Sequence, residues 1–325
     1  ALLKTKLTLP MVKEISDINL LNAKSISSEV IDNDSIYSIS FIENVDGSVL
    51  SPKWLKERIQ RSDFKSINLI VDITNYILLE QGQPLHAFDK DKISKLIGRE
   101  VLPSDFGVSR AKNQEVFIGL DGKSYNLNPN VTVITCDNKT VAIAGVIGGL
   151  ETSVTESTKS ICLEAAVFNP SIIRVSSKNI GLRTESSSRY EKGISYKSTL
   201  FTVSRTIGLL EYFYKSCKYK VYTSRELIED EDLIKLRRNR IHKILGPIII
   251  SESENNRNEK RFLTDNEITE KLELIGCRLK VCLEGWEVAV LPNRSQDLKR
   301  EIDLIEEIAR LIGYDLFDQK LPEPL

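Results

Sequence analysis

The composition of this 325-residue chain breaks once, and that break limits its fold more than any other feature. SRELIEDEDL, starting at Ser224, is acidic, and KLRRNRIHK, ending at Lys243, is basic. Short strand-like runs punctuated by turns precede the break. A helix, a hairpin and a second helix follow it. A charged stretch between two such patterns reads as a linker between domains. We therefore expect an α+β chain: a mixed-sheet domain followed by a small winged-helix-like α/β domain. A strand-rich segment at 1–50 would pack on a domain at 51–223. A linker at 224–240 would lead to a helix-hairpin-helix domain at 241–325.

Local patterns fill in these blocks. SIYSISFIENV alternates as a strand does. SPKWLKERIQR reads as a helix with Ser51 as N-cap, Pro52 in the first turn, and Trp54, Leu55 and Ile59 on one face. INLIVDI reads as a strand, followed by GQPLHAFD and a short helix. EVFIGLDGKSYNL turns at Asp121–Gly122, and VTVITCDNKTVAIAGVIGG turns at Asp137–Asn138. SICLEAAVF is a strand with one carboxylate in it. NPSIIRVSSKNIGL and YKSTLFTVSRTIGLLEYFYKS are helices, and GLRTESSSRYEKGI reads as a polar loop. Beyond the linker, TDNEITEKLELIG is a helix capped by Thr264 or Asp265, with Ile268, Leu272 and Ile275 facing inward. CRLKVCLEGWEVAVLP turns at Glu284–Gly285. LKREIDLIEEIARLIGY is amphipathic through Ile302, Ile305, Ile308 and Ile312.

Composition removes several function classes. The formal net charge of -1 argues against a uniformly basic surface coating nucleic acid. Cys136, Cys162, Cys217, Cys277 and Cys282 form no CxxC pair and no His/Cys cluster, so no metal site is expected. Their odd number fits a reducing, cytoplasmic setting. No apolar run approaches the roughly 20 residues that span a bilayer. The chain starts at Ala1 and stops at LPEPL, so both ends read as cuts in a longer protein.

Four segments carry chemistry beyond packing. The first holds Thr74, Asn75 and His86, one of only two histidines. Histidine changes charge near neutral pH and can orient water, although a hydrogen-bonded core imidazole is the plainer reading of a lone one. The second is AGVIGG, where Gly145, Gly148 and Gly149 allow close backbone approach. Its spacing is not GxGxxG and no P-loop lysine follows. The third is Glu164, a strand carboxylate that either points to solvent or is buried as an acceptor for a ligand hydroxyl. The fourth is GLRTESSSRYEKGI, whose serines, Arg183, Arg189 and Lys192 suit phosphate or ribose contacts. There is no GxSxG elbow, so covalent catalysis is disfavoured. The basic run at KLRRNRIHK reads first as a solvated face and second as a DNA contact.

Taken in order, SPKWLKERI, INLIVDITNYILLEQGQPLHAFD, VAIAGVIGG, LEAAVFNP, GLRTESSSRYEKGI and DLIEEIARLIGYD resemble the beta subunit of bacterial phenylalanyl-tRNA synthetase. The resemblance covers most of residues 50–325 and is weakest at 216–300. It implies an editing domain that hydrolyses mischarged Tyr-tRNA(Phe), then a small domain outside the active site. It places His86, Thr74 and Asn75 around the water and the ester, and Gly148 and Glu164 at the tyrosine hydroxyl. Thr184 and Ser186 would line the pocket, and Lys65 and Arg183 would face the tRNA. Ser186 stands where the family usually has Ala, Leu150 where it often has Glu, and Lys65 where it usually has Arg. The implied partners are tRNA(Phe) and a synthetase alpha subunit, in a heterotetramer. No cofactor is expected in this stretch, with ATP and Mg2+ used at the alpha subunit's site. The alternative is a tRNA- or subunit-binding module with weak or lost editing.

Overall fold

The computed structural model describes residues 12, 15, 17–21, 35–225, 233–251 and 259–317. The chain divides into two compact units, Met11–Leu227 and a second holding Ile228–Leu325. In the first unit the elements run β1 (Ile18–Leu20), β2 (Ile36–Glu43), α1 (Lys53–Gln60), α2 (Leu69–Gln81), β3 (Leu85–Asp89) and α3 (Lys90–Ile97). They continue with β4 (Phe106–Arg110), β5 (Glu115–Ile118), β6 (Ser124–Leu127), β7 (Thr132–Cys136), β8 (Lys139–Ile143), β9 (Ile147–Gly148) and β10 (Ser160–Val167). The unit ends with α4 (Pro170–Ile180), α5 (Glu185–Tyr190), α6 (Thr199–Phe213) and β11 (Lys218–Thr223).

A five-stranded sheet in the order β1-β11-β2-β10-β3 organises this unit. It is mixed, because β1 runs parallel to β11 while the other pairs are antiparallel. Side chains alternate between the faces of a strand. Ile161, Leu163 and Ala165 of β10 enter a core with Leu55, Ile59, Ile73, Ile77, Val203 and Ile207 of α1, α2 and α6. Cys162 and Ala166 enter a separate core with Phe106, Val133, Ile134 and Ile143 of a second sheet, ordered β4-β7-β8-β9. β10 is thus buried on both faces from Ile161 to Val167, and any polar group within that stretch is buried too.

The segment INLIVDI is helical rather than a strand. Asn68 caps α2 by accepting a hydrogen bond from Val71 N, and Gly82, at φ +75°, ends it. The helix is apolar nearly all round because the sheet, α1 and α6 all pack against it, and this hides the helical period. Asp72 is fully buried within it and accepts from Ser51 Oγ (2.6 Å), Ser66 Oγ (2.5 Å) and Ile67 N (2.8 Å). Ser51 therefore ties α1 to α2 rather than capping α1, whose N-cap is Pro52. Trp54 lies off the buried face at 40% exposure, packed edge-on against Tyr76. The hairpin turn at Asp137–Asn138 is as expected, with both residues at positive φ.

The second unit holds β12 (Leu233–Arg237), α7 (Arg238–Leu245), β13 (Ile248–Ser251), β14 (Glu259–Arg261) and α8 (Asp265–Leu274). It closes with β15 (Arg278–Cys282), β16 (Gly285–Ala289) and α9 (Glu301–Ile312). Leu236, Trp286, Ile268, Leu272, Ile305 and Ile308 form its core. Thr264 caps α8 reciprocally with Glu267. On α9, Ile305 and Ile308 are buried as expected, whereas Ile302 is 39% exposed and Leu304 and Ala309 complete the buried face. The basic run lies in β12 and α7, and its first six residues fall in the stretch expected as a linker. Its arginines face carboxylates: Arg237 and Arg240 meet Glu301, and Arg238 grips Asp265. The expectation of an α+β chain with a mixed sheet and a small winged-helix-like unit is borne out.

Candidate functional site

In the β10–β3 ladder Glu164 stands directly opposite His86. Leu163 and Ala87 turn toward the helices, so the alternation sends Glu164 and His86 to the other face. Glu164 is only 5% exposed, which settles the choice between a solvent-facing and a buried carboxylate. Among the described residues no hydrogen bond or ion pair reaches its carboxyl group, and His86 Nε2 is buried with no partner. Burial alone pushes the Glu164 carboxyl up to about 8 and the His86 imidazole down to about 4. Each shift has the sign expected when low dielectric penalises the charged form. Near neutral pH both groups are uncharged. Buried polar groups normally find partners. Two facing ones without any mark a place for a ligand.

Both groups open onto one cavity of about 60 Å³. Its walls also include Pro84, Ile134, Ile143, Val146, Gly148, Ser186 and Tyr190. Gly145, at φ +66°, lets β8 turn back into β9. Gly148 is needed for a different reason: a Cβ there would overlap His86 Cε1 and Nε2, because the imidazole lies against its backbone. The other contact of that ring is edge-to-face with Phe88, at 4.4 Å between centroids. GLRTESSSRYEKGI is not a loop throughout. Thr184 caps α5 reciprocally with Ser187, and its Oγ1 donates to Val146 O at 2.9 Å. That bond pins α5 to the glycine turn and presents Ser186 and Tyr190 to the cavity. Tyr190 is fixed by donating to Ala166 O at 2.9 Å.

His86, Gly148, Glu164 and Ser186 are therefore brought together, and Thr184 supports them without lining the cavity. Thr74 and Asn75 are not brought there. They lie on α2, across the sheet from Glu164, and the Thr74 hydroxyl donates to Val71 O at 2.7 Å. Lys65 is exposed, and Arg183 is exposed and 3.5 Å from Glu191. The sequence reading missed Tyr190, Val146, Ile134 and Ile143. No alternation marks the last two, because β7 and β8 each bury consecutive residues. Among the described residues no group of three or more His, Cys, Asp or Glu could hold a metal ion. No described helix is long and apolar enough to cross a membrane.

A model of the B3/4 domain matches residues 34–214, which is more than half the chain. The chain belongs to the B3/4 domain family. Residues 234–314 match the tRNA synthetase B5 domain, so the two families fall on the two compact units. The phenylalanine–tRNA ligase beta subunit of Prochlorococcus marinus subsp. pastoris is 60% identical over 328 residues, covering 100% of this chain and 40% of that protein. The beta subunit from strain MIT 9312 is 59% identical over 326 residues, covering 100% and 39%. The chain thus spans about two fifths of the curated relatives it matches. The beta-subunit family read from the motifs is borne out, and B3/4 followed by B5 is the domain order of this stretch.

Proposed function

We propose that this B3/4 unit is an editing site that hydrolyses the ester of mischarged Tyr-tRNA(Phe), within a phenylalanine–tRNA ligase that charges tRNA at its alpha subunit with ATP and Mg2+. The observation carrying this reading is buried Glu164 facing half-buried His86 in one cavity, with the carboxyl group and the His86 Nε2 both neutral and unpartnered. Tyrosine and phenylalanine differ by one hydroxyl. A site built to hydrogen-bond that hydroxyl rejects the analogue lacking it by about 10^4 to 10^5, since its own polar groups would stay unpaired. Protonated Glu164 both donates and accepts, which suits a phenol. Gly148 leaves its backbone bare beside it.

An aminoacyl ester is already activated, so hydrolysis needs a positioned water and a stabilised oxyanion rather than a metal. The unpartnered Nε2 of neutral His86 accepts a hydrogen bond from that water and aims its lone pair at the ester carbon. A base held near 4 orients water better than it deprotonates it. The water adds to the carbonyl and the ribose oxygen leaves with a proton, releasing tyrosine and free tRNA. At about 60 Å³ the cavity has room for a few waters but is well below the roughly 150 Å³ that admits a benzene-sized ring. The tyrosyl ring therefore enters only as a wall moves. Lys65 and Arg183 are exposed to tRNA in this reading, while Thr74 and Asn75 take no part.

The small cavity also favours a second reading, a tRNA- or subunit-binding module without turnover. Incubating the chain with Tyr-tRNA(Phe) and following ester loss separates the two. Editing predicts deacylation that His86→Ala and Glu164→Ala both slow. No deacylation above the spontaneous rate, or a rate that both variants retain, leaves the binding module.

A further inference from the structure

The sheet face that carries Glu164 and His86 carries a different surface toward its other edge. Register places Tyr222 opposite Ile39, Lys220 opposite Phe41 and Lys218 opposite Glu43, all on that face. Phe41 and Tyr222 meet edge-to-face, with ring centroids 6.1 Å apart. The loop after α3 forms a facing wall through Leu102, which is 52% exposed, and Pro103. Between them lies a groove of about 430 Å³, within the roughly 300–1,000 Å³ of ligand clefts and several times the editing cavity.

The charges in the groove are divided unevenly. Lys90 takes both acids, Glu43 at 3.1 Å and Glu100 at 3.3 Å, and sits 5.6 Å from the Phe41 ring centroid. The ammonium groups of Lys218 and Lys220 are exposed, and no described residue pairs with either. The groove therefore offers an aromatic face, an apolar wall and two uncommitted cations. That combination fits a planar base joined to a phosphate backbone, since every base has a stackable face and phosphate matches lysine at any sequence.

We infer that this groove binds single-stranded RNA, with one base stacked on Tyr222 against Leu102 and Pro103 and the adjoining phosphates on Lys218 and Lys220. A duplex keeps its bases in the stack and has none to insert. The site is separate from the ester-reading cavity, so an RNA without an aminoacyl group is a sufficient ligand.

Fluorescence anisotropy of a labelled single-stranded RNA of about eight nucleotides, titrated with the whole 325-residue chain, tests this. Two phosphate contacts at a slope near -0.7 each predict about seven-fold weaker binding between 50 and 200 mM salt. Lys218→Glu with Lys220→Glu should abolish binding at low salt. Tyr222→Leu, which keeps apolar volume, should weaken it by about 5- to 100-fold. Lys112→Glu with Lys123→Glu applies the same charge change elsewhere and should leave it unchanged. Unchanged melting curves establish that each variant is folded. No binding at 50 mM salt, equal affinity for a duplex, or equal loss in the Lys112/Lys123 control would each overturn the assignment. The RNA carries no ester, so failure here leaves the editing reading untouched, and failure of editing leaves this one.

Discussion

Replacing Glu164 with Gln isolates the consequence of burying a carboxyl group with no partner. Gln keeps the shape and removes the titration. In the folded chain the group titrates at about 8, against 4.5 when unfolded. Between those values the folded state holds a proton that the unfolded state releases, so stability falls as pH rises. Each pH unit is worth about 1.36 kcal/mol, and the interval from 4.5 to about 8 makes the full effect about 5 kcal/mol. Below pH 4.5 the two proteins should therefore differ little. By pH 8 Glu164→Gln should be the more stable by several kcal/mol, with the gap widening steadily between. Urea unfolding followed by far-UV circular dichroism at half-unit pH steps measures this in the transition of the first unit. A stability difference that stays flat from pH 5 to pH 8 would refute the reasoning, because it would mean that Glu164 ionises in the fold as it does in water.

His86 carries the opposite sign. Its folded value is lowered from 6.5 to about 4, so the folded state resists protonation and loses about 3 kcal/mol as pH falls through that window. His86→Gln should remove that acid sensitivity, measurable in the same titration. Gly148→Ala forces a methyl group into the imidazole, so it should destabilise the first unit and slow deacylation. His86→Ala in the same chain should restore the stability, giving a large coupling in a double-mutant cycle. Asp72→Ala removes the acceptor for Ser51, Ser66 and Ile67 and should cost about 3 kcal/mol or more in urea unfolding.

Strands and turns with local signals were legible in the sequence. The Asp137–Asn138 turn, the Gly181 stop of α4 and the Thr264 cap of α8 each rest on residues within a few positions of one another. α2 was not legible. Its β-branched run is apolar on all sides because three elements pack on it, and a helix buried all round has no amphipathic period to read. The same tertiary cause moved Thr74 and Asn75 across the sheet from the cavity. Glu164 could be read either way, since a strand carboxylate in an apolar run is buried only if the strand is covered on both faces. The second sheet supplies that cover. The motif order, read as a family resemblance, named His86, Gly148, Glu164 and Ser186. The β7–β8 wall and the packing of Tyr190 against Gly145 needed the fold.

The central claim is that Glu164 reads a single hydroxyl. The direct test is the ratio of kcat/KM for deacylation of Tyr-tRNA(Phe) to that for Phe-tRNA(Phe), in the unaltered chain and in Glu164→Ala. The account predicts a large ratio that collapses by about 100-fold or more in the variant, chiefly through loss of the tyrosyl ester's advantage. A ratio that survives the substitution would contradict it, and the discrimination would then belong to another part of the cavity wall.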